Sequence, residues 1–115
     1  MRFDLNGLTF SPVRNSEGGR VKSDSIFEYQ QEGETFTAIY YGEGFTDGHL
    51  IGCFTGDDTA ELVYHCRGSN GELEIGEAKA KFTRNAAGKI NISMDWQWLN
   101  LTQESGKSYY EENNA

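Results

Sequence analysis

Few of the 115 residues combine reactive side chains in a spacing that chemistry would need. There are two histidines, His49 and His65, and two cysteines, Cys53 and Cys66. Neither pair makes a Cys-x-x-Cys or the clustered Cys/His spacing of a zinc site, so no metal and no cofactor is expected. A catalytic thiol would need a base beside it; two reduced, half-buried thiols are the expected state. Carboxylates gather at Asp57, Asp58 and Glu61 and again at Glu72, Glu74 and Glu77. A glycosidase needs two carboxyl groups facing each other across a cleft, whereas these clusters read as a solvated outer face. Gly-x-Ser-x-Gly, phosphate-loop and His-Glu-x-x-His patterns are absent from the sequence. What remains is aromatic. Tyr40, Tyr64, Trp96 and Trp98 could wall a ligand cavity, the phenols adding hydrogen-bonding groups to an apolar surface. These four are the candidate ligand-binding residues; no catalytic residue is singled out.

The elements that must position them are strands. From Lys89 to Trp98, Ile90, Ile92, Met94, Trp96 and Trp98 alternate with polar residues. Only a strand puts residues two apart on one face over that length. The same period gives strands over Ile26–Gln31, Thr35–Tyr41, His49–Phe54, Ala60–Arg67 and Glu72–Thr83. Leu5–Val13 is expected as a first strand and Ser108–Glu111 as an eighth. Phe36, Ala38 and Tyr40 share a face, as do Leu62, Tyr64 and Cys66, with His65 opposite Tyr64. Gly76, Ala78, Ala80 and Phe82 form another inner face, whose small residues are expected to leave space opposite the aromatics.

Turn signals separate the runs: Gly18-Gly19, Glu32-Gly33, Asp47-Gly48, Asp57-Asp58, Asn70-Gly71, Ala87-Gly88 and Ser105-Gly106. Asn70-Gly71 suits a type I′ hairpin turn, in which both central residues take positive φ. Arg14–Ser25 reads as a loop or strand extension, and Glu111–Ala115 as a frayed tail. The length allows one domain over residues 1–115. Short sequential hairpins favour an all-β, up-and-down antiparallel meander barrel of about eight strands, with a β-sandwich as the alternative. A net charge of −8 with a pI near 4.6 argues against nucleic acid or an anionic membrane as partner. Residues 1–7 lack the apolar core of a signal peptide, so a cytoplasmic location is expected.

Two segments resemble the avidin and streptavidin-like meander barrels. Phe27–Gly33 followed by Thr35–Gly42 is similar to their first hairpin. Ile92–Leu99 is similar to a late strand that carries a buried Trp. A closer resemblance is to a group of small bacterial barrel proteins of avidin-like or lipocalin-like type. It is carried by Gly7–Val13, Gly48–Gly52, Tyr64-His65 and Asp95–Trp98, which together span most of the chain. Members of that group often bear the label N-acetylglutamate synthase. That activity is not expected, because an acetyl-CoA enzyme needs a helix N-terminus to cradle pyrophosphate and no segment here has helical periodicity. The resemblance implies a barrel, not the ligand. Biotin sites use several Trp rings and a late Asp or Asn. This chain has two Trp residues, both on one strand, and no Asp on its last strand.

The leading expectation is therefore a barrel that binds a small or amphipathic molecule without catalysis. The alternative is a structural or interaction module with a filled barrel, self-associating as a homo-oligomer. An enzyme using Tyr, His or Glu at the barrel mouth ranks third.

Overall fold

The computed structural model describes residues 3–15, 25–42, 45–68, 71–100 and 104–113. Eight strands follow in order: β1 (Thr9–Asn15), β2 (Ile26–Glu32), β3 (Thr35–Gly42), β4 (Phe45–Phe54), β5 (Thr59–Gly68), β6 (Leu73–Arg84), β7 (Ile90–Trp98) and β8 (Ser105–Glu112). Each pairs antiparallel with the next, and β1 pairs with β8, which closes the barrel. Closure removes the free edges that a sandwich would retain. Alternation places one face of every strand inside. β6 is the clearest case, with Glu74, Gly76, Ala78, Ala80 and Phe82 buried and their neighbours exposed.

One end of the barrel is sealed. The segment before β1 is not strand, as the sequence reading expected, but a plug. Phe3 and Leu5 are buried there, and Leu5 is fully enclosed. The Leu5 N–H donates to Oε1 of Gln31 at 2.9 Å, and the Gly7 N–H donates to the Tyr29 carbonyl at 3.0 Å. Behind the plug Phe36, Phe54 and Phe82 meet at ring separations of 5.1–6.3 Å, and Phe3 packs on Phe82 at 5.7 Å. The Arg84 guanidinium covers the outside of the Phe3 ring at 5.2 Å. At this end the β2–β3 hairpin turns on Gly33, whose φ of 63° favours glycine.

Several local expectations are corrected. Asp47-Gly48 is no turn but lies inside β4, where the register with β3 and β5 slips and Asp47 takes φ 56°. A bulge and a turn draw on the same residue types. Ser105-Gly106 opens β8 instead of making a turn. The chain stays ordered through Asn113, whose N–H donates to the Thr9 carbonyl at 2.8 Å. Arg14 and Asn15 belong to β1. The rest of the expected 14–25 loop up to residue 24, the Gly18-Gly19 turn and Asn70 lie outside the described residues.

The glycines of the wall carry rings. Tyr40 pairs with Gly48, Phe36 with Gly52 and Tyr64 with Gly76. A Cβ on any of these glycines would lie 2.3–2.4 Å from the paired ring. Each aromatic therefore lies along the wall over a neighbouring glycine.

Candidate ligand-binding site

The end of the barrel opposite the plug has a different lining. Tyr40 from β3, Tyr64 from β5, and Trp96 and Trp98 from β7 all face inward there. Tyr64 and Trp98 contact edge to face at 5.3 Å, and the two indoles lie 6.2 Å apart. Tyr40 stacks on Phe27 at 4.6 Å. Its hydroxyl donates to the His65 carbonyl at 3.0 Å. The Tyr64 hydroxyl is half-buried and makes only a long contact, 3.5 Å, to the Gln97 carbonyl. Ala78 and Ala80 do not face the indoles across open space. They are the register partners of Trp96 and Met94, so the small side chains stand directly beside the large ones.

The structure adds groups that the sequence reading missed. Tyr110 on β8 is buried with its ring 5.0 Å from Phe27, and the Ser108 hydroxyl donates to its oxygen at 2.9 Å. Glu74 is 3% exposed and faces inward, not outward with its acidic neighbours. Its parity with Gly76 and Ala78 was the available signal. The Cys66 thiol points at Glu74 Oε1 from 3.7 Å. The cysteines are not both half-buried: Cys53 is exposed on the outer face and Cys66 is enclosed. Both histidines project outward, their rings 5.5 Å apart. The wall thus separates the buried thiol from both imidazoles, and no thiol–imidazole pair forms. Among the described residues no three His, Cys, Asp or Glu side chains group as metal ligands.

Burial dominates the electrostatics. It pushes the Tyr29, Tyr40 and Tyr64 phenols well above the ordinary tyrosine range, with the Cys66 thiol adding to the shift at Tyr40. Tyr110 is pushed up to about 12 by burial, against the opposing pull of its Ser108 hydrogen bond. These groups are neutral hydrogen-bonding phenols at any physiological pH. The unfolded phenol ionises near pH ~10, so the raised folded values confer stability that is complete below that pH and lost above it. In an alkaline titration followed at 295 nm, these four phenols should ionise together with loss of the sheet signal in circular dichroism. Their ionisation in a barrel that keeps its sheet signal would contradict the burial described.

Fold and lining define a class: a closed antiparallel meander barrel, capped by an aromatic plug at one end and furnished with aromatic and hydrogen-bonding side chains at the other. Within that class the chain matches the family model described as avidin-like protein over residues 3–113, and it belongs to that family. No curated protein and no solved structure matches it significantly.

Proposed function

We propose that the barrel end lined by Tyr40, Tyr64, Trp96 and Trp98 binds one small flat or amphipathic molecule and does not transform it. The observation that carries this reading is the asymmetry of the interior. Phe3 and Leu5 of the plug pack with the rings of Phe36, Phe54 and Phe82 at one end, whereas phenols, a hydroxyl, a thiol and a carboxylate from neighbouring strands share the rest of the interior. An eight-stranded barrel leaves an interior that can hold one small ligand. Trp98 and Tyr64 offer ring faces and edges, and Tyr64 keeps a hydroxyl with only a weak protein partner. Among the residues whose side chains the structure describes, no Lys, Arg or His faces inward, so an anion meets no counter-charge from them and binding should be insensitive to salt.

Tryptophan emission reports on this site directly, because both indoles of the protein lie in it. A titration with a hydrophobic dye, fatty acids and aromatic metabolites should shift or quench that emission saturably. The affinity should be unchanged between about 50 and 500 mM salt. Trp98→Phe retains a ring and should weaken the response without unfolding the barrel. If no compound alters the emission, the barrel is filled. The interaction-module reading, which the close packing behind the plug favours, then replaces this one.

A further inference from the structure

The interior holds hydrogen-bond donors that the fold itself does not use. Tyr29 on β2 is 2% exposed and faces inward, its ring edge-on to Phe10 at 5.2 Å and tilted on Phe36 at 5.9 Å. Those contacts hold the ring and leave the hydroxyl alone. Among the described residues the Tyr29 hydroxyl has no hydrogen-bond partner. Its oxygen is not sealed in either. Among the described residues, the one unpartnered side-chain nitrogen or oxygen that protein atoms enclose completely is Asn91 Oδ1. The Tyr29 hydroxyl therefore borders open space inside the barrel. Tyr110 on β8 supplies a second donor. Its oxygen accepts from the Ser108 hydroxyl at 2.9 Å, and its own proton has no acceptor among the described residues. Nearly all buried polar groups in folded proteins are paired, because an unpaired one costs free energy. Two such donors in one interior call for an acceptor from outside the chain.

Their position fixes where that acceptor sits. Phe36 belongs to the ring cluster behind the plug, so Tyr29 lies between the plug and the aromatic lining. Tyr110 is the register partner of Ile92, on the plug side of Trp96 and Trp98 along β7. After burial itself, Tyr110 is what raises the Tyr29 phenol, and it contributes at Tyr64 and Tyr40 too. Its oxygen thus stands central among the inward phenols. We propose that Tyr29 and Tyr110 form the floor of the binding site and select an uncharged ligand that enters acceptor-first, its leading atom the oxygen of a ketone, amide or lactone carbonyl. This assignment rests on the ligand-binding reading of the barrel and adds the chemistry of the ligand's buried end. Each phenol has one proton to donate, and a carbonyl oxygen has two lone pairs to receive them. A carboxylate accepts the same bonds, but no described inward side chain is a cation that would offset the charge it buries.

Two bicyclic probes of one skeleton test this: α-tetralone and tetralin differ at a single carbonyl. Indole N–H shifts followed by NMR give an affinity for each. Tyr29→Phe keeps the ring and should lower the ketone-to-hydrocarbon affinity ratio about tenfold, the effect of one hydrogen bond, without weakening tetralin. Tyr110→Phe should act in the same direction. Trp98→Phe should weaken both probes and leave the ratio where it was. Because the Tyr29 hydroxyl is unpartnered in the folded chain, Tyr29→Phe should keep the urea midpoint unchanged or raise it. A ratio that Tyr29→Phe does not move overturns the donor floor and leaves the binding site standing, which is also the outcome when a trapped water is the acceptor. A lowered urea midpoint in Tyr29→Phe would show that the hydroxyl already has a protein partner, and that too overturns the floor. If neither probe shifts an indole signal in the wild-type protein, the ligand-binding reading itself fails and the floor with it.

Discussion

Gly52→Ala should destabilise the protein by about 3 kcal/mol, the upper part of the range for overpacking. The added Cβ would lie 2.3 Å from Cζ of Phe36 and 2.4 Å from its Cε1. Phe36 is 2% exposed and cannot yield, because Tyr29, Phe54 and Phe82 surround its ring at 5.2–6.3 Å. The strain therefore passes to the β3–β4 pairing or to the ring cluster. Urea denaturation should show a lower midpoint with an unchanged slope. Phe36→Leu in the Gly52→Ala background should recover part of the loss, since the two changes share one contact. Additive losses in the double variant would show that the ring does not lie over the glycine.

Truncating Trp96 should cost about 3–5 kcal/mol, as for a large buried aromatic. Its indole is 7% exposed and lies against Trp98, and its β6 neighbour Ala78 is too small to fill the space left behind. Gln97→Ala, one residue along and on the outer face, should stay within ~0.5 kcal/mol. Chemical denaturation of the two variants compares inner and outer faces of the same strand. Equal losses would mean that β7 is set in the opposite register, which would turn both indoles out of the barrel.

The barrel was legible where period 2 was unbroken. β7 alternates cleanly over its length, and its inner residues are those that alternation selects. His65 and Tyr64 separated for the same reason. The site was read only in part. Glu74 has the parity of Gly76, but a glutamate beside two other glutamates looks like solvated surface. Alternation is a statement about direction and takes no account of side-chain type, and at Glu74 direction prevailed. Tyr110 and Ser108 went unselected because β8 carries few apolar residues. Its inward position comes from pairing with β7 and β1, which one strand's sequence does not display. The plug was misread because Leu5, Phe10 and the residues between resemble a strand start. What holds Phe3 and Leu5 in place is hydrogen bonding to Gln31 and Tyr29, far along the chain. The apparent Asp47-Gly48 turn failed for a related reason, since a bulge needs the same backbone freedom as a turn.

The central claim is that the two ends of the barrel interior differ and that one of them accepts a ligand. A nitrogen–proton NMR correlation spectrum during a small-fragment titration tests it most directly. The two indole N–H signals come from Trp96 and Trp98, at the end furnished with phenols. Binding fragments should shift the indole signals together with the amides of Tyr64 and Cys66, and leave the amides of Phe36, Phe54 and Phe82 in place. Fragments that shift only the residues behind the plug or on the outer wall, or none that shift either indole, would contradict the account.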